Sequence, residues 1–295
     1  MQIIRYRSSA DKMVLGVLSN VQLIHNFPDS GIALYNVLQL RLHELKALCD
    51  AAVQTEPVLQ QPTRLLPPID GNTEVWAAGV TYKRSKEARV EESETPDIYS
   101  KVYVAERPEL FFKATLRRVA GPDMPIVVRS DSTWDVPEPE CVLVVNAHAE
   151  IVGYTIGNDV SSRSIEGENP LYLPQAKVYT GCCALGPGIT PTWEVPDPYK
   201  LTMRMTIERD RQICWQAETN TGELKRRLEE LVMYLFREDD FPDGVFLCTG
   251  TALVPDSPFT LEPGDVVHIT IDGLGTLRNP VVRGKAGLKQ SIVDA

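Results

Sequence analysis

Residues 135–140 read Asp-Val-Pro-Glu-Pro-Glu. Each proline holds the residue before it extended, and in an extended chain side chains two apart share a face. Glu138 and Glu140 therefore present two carboxylates to one side, a few ångströms apart. Like charges that close repel unless a cation or a proton lies between them. Taken alone, such a pair is a solvated acidic turn. Its surroundings argue for more. The pair runs straight into Cys-Val-Leu-Val-Val, an apolar strand, and Asp159 ends the next apolar stretch, Glu150 to Asn158. If those two strands form a hairpin, Asp159 returns toward the pair. Three carboxylates with no histidine or thiolate beside them select a hard divalent ion, Mg²⁺ first, with Mn²⁺ or Ca²⁺ as alternatives.

Residues 158–189 are rich in polar residues, Gly and Pro, yet lie between strands. A loop of that length is uncommon without a function. It offers Arg163, Glu166, Glu168 and Lys177. A lone lysine is ordinarily a surface charge. Near a metal cation its ammonium loses protons more readily and becomes a candidate proton shuttle. Further on, Thr249 and Thr251 flank Gly250, where a ligand carboxylate has room to approach the backbone. Leu261 to Asp265 reads as an ordinary turn into a strand.

The elements that must position these groups follow from periodicity. The first 30 residues alternate in two or three short strands, and residues 31–53 switch to a helical pattern with Leu38, Leu42, Leu45 and Leu48 near one face. Four prolines in the 17 residues from Thr55 to Gly71 mark a linker. The chain is therefore expected to divide into a small N-terminal α+β domain (1–68) and a larger catalytic domain (69–295). After the strand Val-Trp-Ala-Ala-Gly-Val, residues 82–108 form the most charged stretch, expected as an exposed helix broken at Pro96 and followed by a second. From residue 126 the chain is mostly strand and turn. One helix interrupts it: Asn220 with Glu223 resembles a capping box, and leucines recur at helical spacing to Phe236.

Composition removes most other chemistries. The chain has 295 residues, 43% hydrophobic and 24% charged, enough for a substantial core. A net charge of −10 without a basic cluster argues against nucleic acid and against an anionic membrane. No apolar run reaches 18 residues, and the N-terminus lacks the pattern of a signal peptide. Six cysteines without a CxxC spacing read as reduced thiols of a cytoplasmic protein. HExxH, GxSxG and Walker A motifs are absent.

Taken in order, Glu-Pro-Glu before an apolar strand, GYTIGNDVSSR, Lys177 ten residues before Pro187, Thr-Gly-Thr at 249–251 and LEPGDVVHITIDGLGTLRNPV resemble the fumarylacetoacetate hydrolase superfamily, over roughly residues 70–285. The resemblance implies a β-rich α+β chain with a mixed β-roll catalytic domain. It also implies Mg²⁺ on acidic residues, 2-oxo acid or 1,3-diketone substrates, and a homodimer or homotetramer. Carried over by motif, Glu138, Glu140 and Asp159 are the metal ligands, Lys177 is the active-site lysine, and Arg163 and Thr251 lie near the substrate.

The departures are informative. Hydrolases of the superfamily read G-x-N-Y-x-x-H-x-x-E after the first strand, with a His/Glu pair that activates water. Here Ser85 stands in the place of the His, as a substrate contact, and Ala88 in that of the Glu, with Glu87 one position off. Neither Ser nor Ala acts as a base near neutral pH. The stretch SIEGENPLYLPQAK resembles instead the 2-keto-3-deoxy-pentonate dehydratases. That branch makes 2,5-dioxopentanoate from 2-keto-3-deoxy-D-arabinonate or D-xylonate. In it, residues 82–108 correspond to a mobile lid and Glu109 to an acid/base partner of Lys177. An acylpyruvate hydrolase or oxaloacetate-type decarboxylase shares the metal site but needs another base. A non-catalytic 2-oxo-acid-binding protein is the third reading.

Overall fold

Strand Pro139–Val145, which carries Glu140 near its start, is buried along its whole length. The computed structural model describes residues 1–29, 31–58, 64–92 and 96–293. Among these, eleven strands form one mixed sheet. From its interior to one edge it runs Cys183–Pro191, Ile151–Asp159, Pro139–Val145, Val245–Cys248, Glu74–Gly79, Glu109–Thr115. The strand flanked on both sides and covered on both faces is nearly all apolar, as burial requires. A second sheet of five strands runs Gln212–Asn220, Thr202–Arg209, Val266–Ile271, Gly275–Arg283, Ile126–Val128. The chain is thus β-rich, of the α+β class.

Alternation along the central strand separates two cores. Cys141, Leu143 and Val145 join Met205, Ile207 and Ile269 of the second sheet. Val142 and Val144 point the other way, to Leu34, Val37 and Leu45. Truncating a side chain as enclosed as Leu143 to Ala costs roughly 2–5 kcal/mol. The N-terminal strand Gln2–Arg7 continues the same large sheet, with Ile3 opposite Ile189.

Two helix expectations change. Residues 31–53 hold two helices, Leu34–Val37 and Leu42–Ala52. Each has its own N-terminal cap from far along the chain. The Asp70 carboxylate accepts from Leu34 N and Tyr35 N, both at 2.9 Å, and Glu150 Oε2 accepts from Leu42 N at 2.9 Å. Two sets of capped amide groups mean two helix starts. The helix expected from Asn220 begins later. Asn220 caps only the short turn Thr221–Glu223, and the α-helix is Leu228–Leu235. The intervening backbone is bonded elsewhere: Lys225 N donates to Thr81 O at 3.0 Å, and Leu224 bridges Tyr82.

The charged stretch forms helices Lys83–Glu92 and Pro96–Val104, with residues 93–95 outside the described ones. The linker expected from Thr55 to Gly71 likewise includes 59–63, outside the described residues, and then strand Arg64–Leu66, which pairs with Gln2–Arg7.

Candidate metal centre and active site

The expected hairpin forms. Pro139 lies opposite Asn158 and Glu140 opposite Gly157. At its open end Asp159 N donates to Glu138 O at 2.9 Å, and Glu138 N donates to Asn158 Oδ1 at 3.1 Å. Glu138, Glu140 and Asp159 each offer an oxygen, and the three oxygens lie within 4.8 Å of one another. All three residues are buried.

Cations surround this cluster. Lys177 Nζ donates to Glu138 Oε2 at 2.8 Å, Asp159 Oδ2 at 3.0 Å and Ser161 Oγ at 2.6 Å. Arg163 Nη2 lies 3.2 Å from Glu138 Oε1, and its Nη1 lies 3.8 Å from Glu166 Oε2. The Lys113 ammonium pairs with Asp159 Oδ1. Burial pulls the Lys113 pKa down, but Asp159 and neighbouring groups outweigh it and hold the ammonium charged. Glu140 takes the backbone N–H of Gly250. Its carboxyl is pushed well above the usual range, first by burial and then by Asp159 and Glu138. Three carboxylate oxygens in a dry site, one of them reluctant to ionise, fit a divalent oxygen-seeking cation.

One small pocket of about 20 Å³ joins most of the expected residues: Ser85, Glu109, Thr251 and Lys177 line it with Glu138, Glu140 and Asp159. Glu166, Tyr99 and Phe111 line it too, and Lys177 Nζ lies 5.8 Å from the centre of the Phe111 ring. That space holds about one water molecule. Ser85 and Tyr99, on the helices Lys83–Glu92 and Pro96–Val104, are each only 7% exposed, so this helical pair forms part of the pocket wall.

Other expected residues are placed elsewhere. Glu168 is exposed and outside the pocket. Thr249 Oγ1 is spent on Cys141 O at 2.8 Å. Glu87 faces Lys83 at 3.8 Å, and among the described residues no histidine lines the pocket. Cys182 and Cys183 are fully buried members of the second core, and burial pushes the Cys183 thiol well up, which keeps it protonated. The sequence reading missed Lys113 and Tyr99. A lysine within the apolar strand Leu-Phe-Phe-Lys-Ala-Thr is itself a signal, because Lys is almost never fully buried unless paired.

The chain from the first pocket strand to the last strand of the second sheet matches a known family. The fumarylacetoacetate (FAA) hydrolase C-terminal family covers residues 74–282. The chain belongs to the fumarylacetoacetate hydrolase family. Over 214 residues it is 56% identical to a "Probable 2-keto-3-deoxyxylonate dehydratase" of Haloferax volcanii, covering 72% of this chain and 73% of that one. It is 46% identical over 222 residues to the 2-dehydro-3-deoxy-D-arabinonate dehydratase of Saccharolobus solfataricus, covering 74% of each. A solved 2-keto-3-deoxy-D-arabinonate dehydratase, complexed with magnesium and 2,5-dioxopentanoate, superposes with a TM-score of 0.84. It shares 36% identity and covers 96% of this chain and 99% of that one. Among the described residues, Ser85 lines the pocket and no histidine does, and Glu87 lies 3.8 Å from Lys83.

Proposed function

We propose that the protein is a Mg²⁺-dependent hydro-lyase that converts 2-keto-3-deoxy-D-arabinonate or D-xylonate to 2,5-dioxopentanoate. One observation carries this: the buried carboxylate triad shares its pocket with Lys177 and Glu109, and among the described residues no histidine lines it. Glu138, Glu140 and Asp159 would hold the ion. When bound, it supplies Lewis acidity that stabilises negative charge on the 2-oxo group of the substrate.

The remaining work falls to side chains. Lys177 and Glu109 form the acid/base pair, one removing the C3 proton and the other donating a proton as the C4 hydroxyl leaves as water. Transfer of a C5 proton to C3 and return of the resulting enol to its keto form then give the aldehyde, so the net change is loss of one water. Arg163, expected near the substrate, is not among the lining residues of the pocket and instead holds Glu138 at 3.2 Å, while Ser85 and Thr251 contact the substrate. A five-carbon acid does not fit in about 20 Å³, so the helical pair in the pocket wall acts as a lid that opens for entry and closes to exclude water.

The six free cysteines fit a reducing, cytoplasmic setting. The edge strand Gln212–Asn220 pairs on one side only, and such an edge suits a second copy. A homodimer or homotetramer is the expected state, to be read by light scattering.

The deciding experiment incubates the protein with Mg²⁺ and racemic 2-keto-3-deoxy-pentonate, coupled to a semialdehyde dehydrogenase, beside an acylpyruvate assay. Aldehyde formation that EDTA abolishes is expected. Acylpyruvate cleavage without aldehyde would overturn the dehydratase reading, and binding without turnover would point to a 2-oxo-acid-binding protein.

A further inference from the structure

Lys113 is fully buried, yet it does not line the pocket. It sits on strand Glu109–Thr115, two residues from Phe111 and four from Glu109. Glu109 and Phe111 share one face of this strand, and Lys113 is the extra residue of a bulge, between Phe112 opposite Trp76 and Ala114 opposite Val75. Three acceptors enclose that ammonium. It pairs with Asp159 Oδ1, and it donates to Val160 O at 3.1 Å and to Lys177 O at 2.5 Å. The other oxygen of Asp159 accepts from Lys177 Nζ at 3.0 Å. Asp159 is thus gripped through both oxygens, by one lysine that faces the pocket and one that does not.

We propose that Lys113 is a positioning residue of the metal centre: it fixes the Asp159 carboxylate for the ion and sets the Asp159-to-Lys177 spacing by holding the carbonyls of residues 160 and 177. The inference rests on the reading above that the three carboxylates bind a divalent cation. Lys113 touches no substrate and passes it no proton, because its ammonium is enclosed by acceptors of the protein. Its place resembles that of the outer partners that orient metal ligands, whose loss typically weakens metal binding roughly 10- to 100-fold. A merely charge-balancing role predicts the opposite sign. Removing a positive charge beside Asp159 would then strengthen the pull of the triad on a cation.

The test measures Mn²⁺ affinity by paramagnetic resonance of free and bound ion, in the full-length protein without substrate. Wild type, Lys113→Met and Lys113→Gln are compared, with circular dichroism melts as the folding control. The Met variant should bind Mn²⁺ roughly 10- to 100-fold more weakly while remaining folded. The Gln variant keeps donors for the two carbonyls and should fall between Met and wild type. Unchanged or tighter binding in a folded variant overturns the proposal, as does failure of both variants to fold, which would make Lys113 a residue of the fold alone. If wild type itself binds no Mn²⁺, the metal reading of the triad fails and this proposal fails with it. If wild type binds Mn²⁺ but leaves the sugar acid unchanged, only the assigned reaction fails.

Discussion

The carboxylate of Glu109 lies over Gly79, in the space that a β-carbon on Gly79 would occupy. The two residues are direct partners across neighbouring strands. Glycine is needed there so that the carboxylate can lean into the pocket. The next residue, Val80, carries a φ of +53°, rare for a β-branched side chain. It turns the chain toward the helices of the pocket wall.

Gly79→Ala should displace the Glu109 carboxylate and lower kcat by roughly the 10²–10⁴-fold attributed to a general acid or base. Glu109→Gln should give a loss of similar size, and the double variant should lose little more. Mg²⁺ affinity, measured by calorimetry, should stay near wild type in all three. Additive losses in the double variant would count against the pairing.

Removing the ion should cost both activity and stability. EDTA should abolish turnover. Saturating Mg²⁺, at about 100 times its dissociation constant, should stabilise the fold by about 2.7 kcal/mol through binding linkage. Glu138→Gln should cut activity by more than the roughly 10- to 100-fold typical of an outer-shell loss, and should abolish the Mg²⁺-dependent rise in Tm. A variant that retained both would remove Glu138 from the ligand set.

The helical pair proposed as a lid is anchored by Arg226, which is 8% exposed. Its guanidinium donates to Ala105 O at 2.6 Å and to Glu106 O at 3.0 Å, and it pairs with Glu230 at 2.7 Å. These carbonyls lie just past the end of helix Pro96–Val104, where a cation is favourable. A hydrogen bond to a charged group is worth about 1.5–3 kcal/mol, so Arg226→Ala should lower kcat/KM by roughly tenfold or more. Proteolysis within residues 82–108 should quicken in the variant, and product with Mg²⁺ should protect the wild type more than the variant.

Asp135 supplies a pH signature away from the triad. Burial pushes its carboxyl up to about 6, against Ser132, Arg283 and Arg129, which pull it down. A carboxyl whose folded pKa is raised stabilises the fold below its unfolded value, near 3.8, and that contribution is lost as pH rises through about 6. Asp135→Asn has no such loss. Above pH 6 its Tm should exceed that of wild type, with the difference shrinking toward pH 4. Parallel Tm curves across that range would rule out Asp135 as the source.

The sequence by itself determined the two neighbouring carboxylates proposed as ligands and their pairing on one edge. Prolines at 137 and 139 and the alternation of an extended chain aim Glu138 and Glu140 the same way, and both facts are local. It also determined the β-rich class, since strand periodicity is local too. Only the tertiary structure decided what depends on contacts between distant residues. Asp70 and Glu150 split one helical pattern into two helices by capping from 36 and 108 positions away. Thr81 and Tyr82 hold Lys225 and Leu224 outside a helix that the leucine spacing suggested. Lys113 lies 46 positions from Asp159, and a lone lysine in a strand has no local sign of its partner. The burial that forces the two together exists only once the sheet has formed, because a charge is that costly to enclose only when water has been excluded around it.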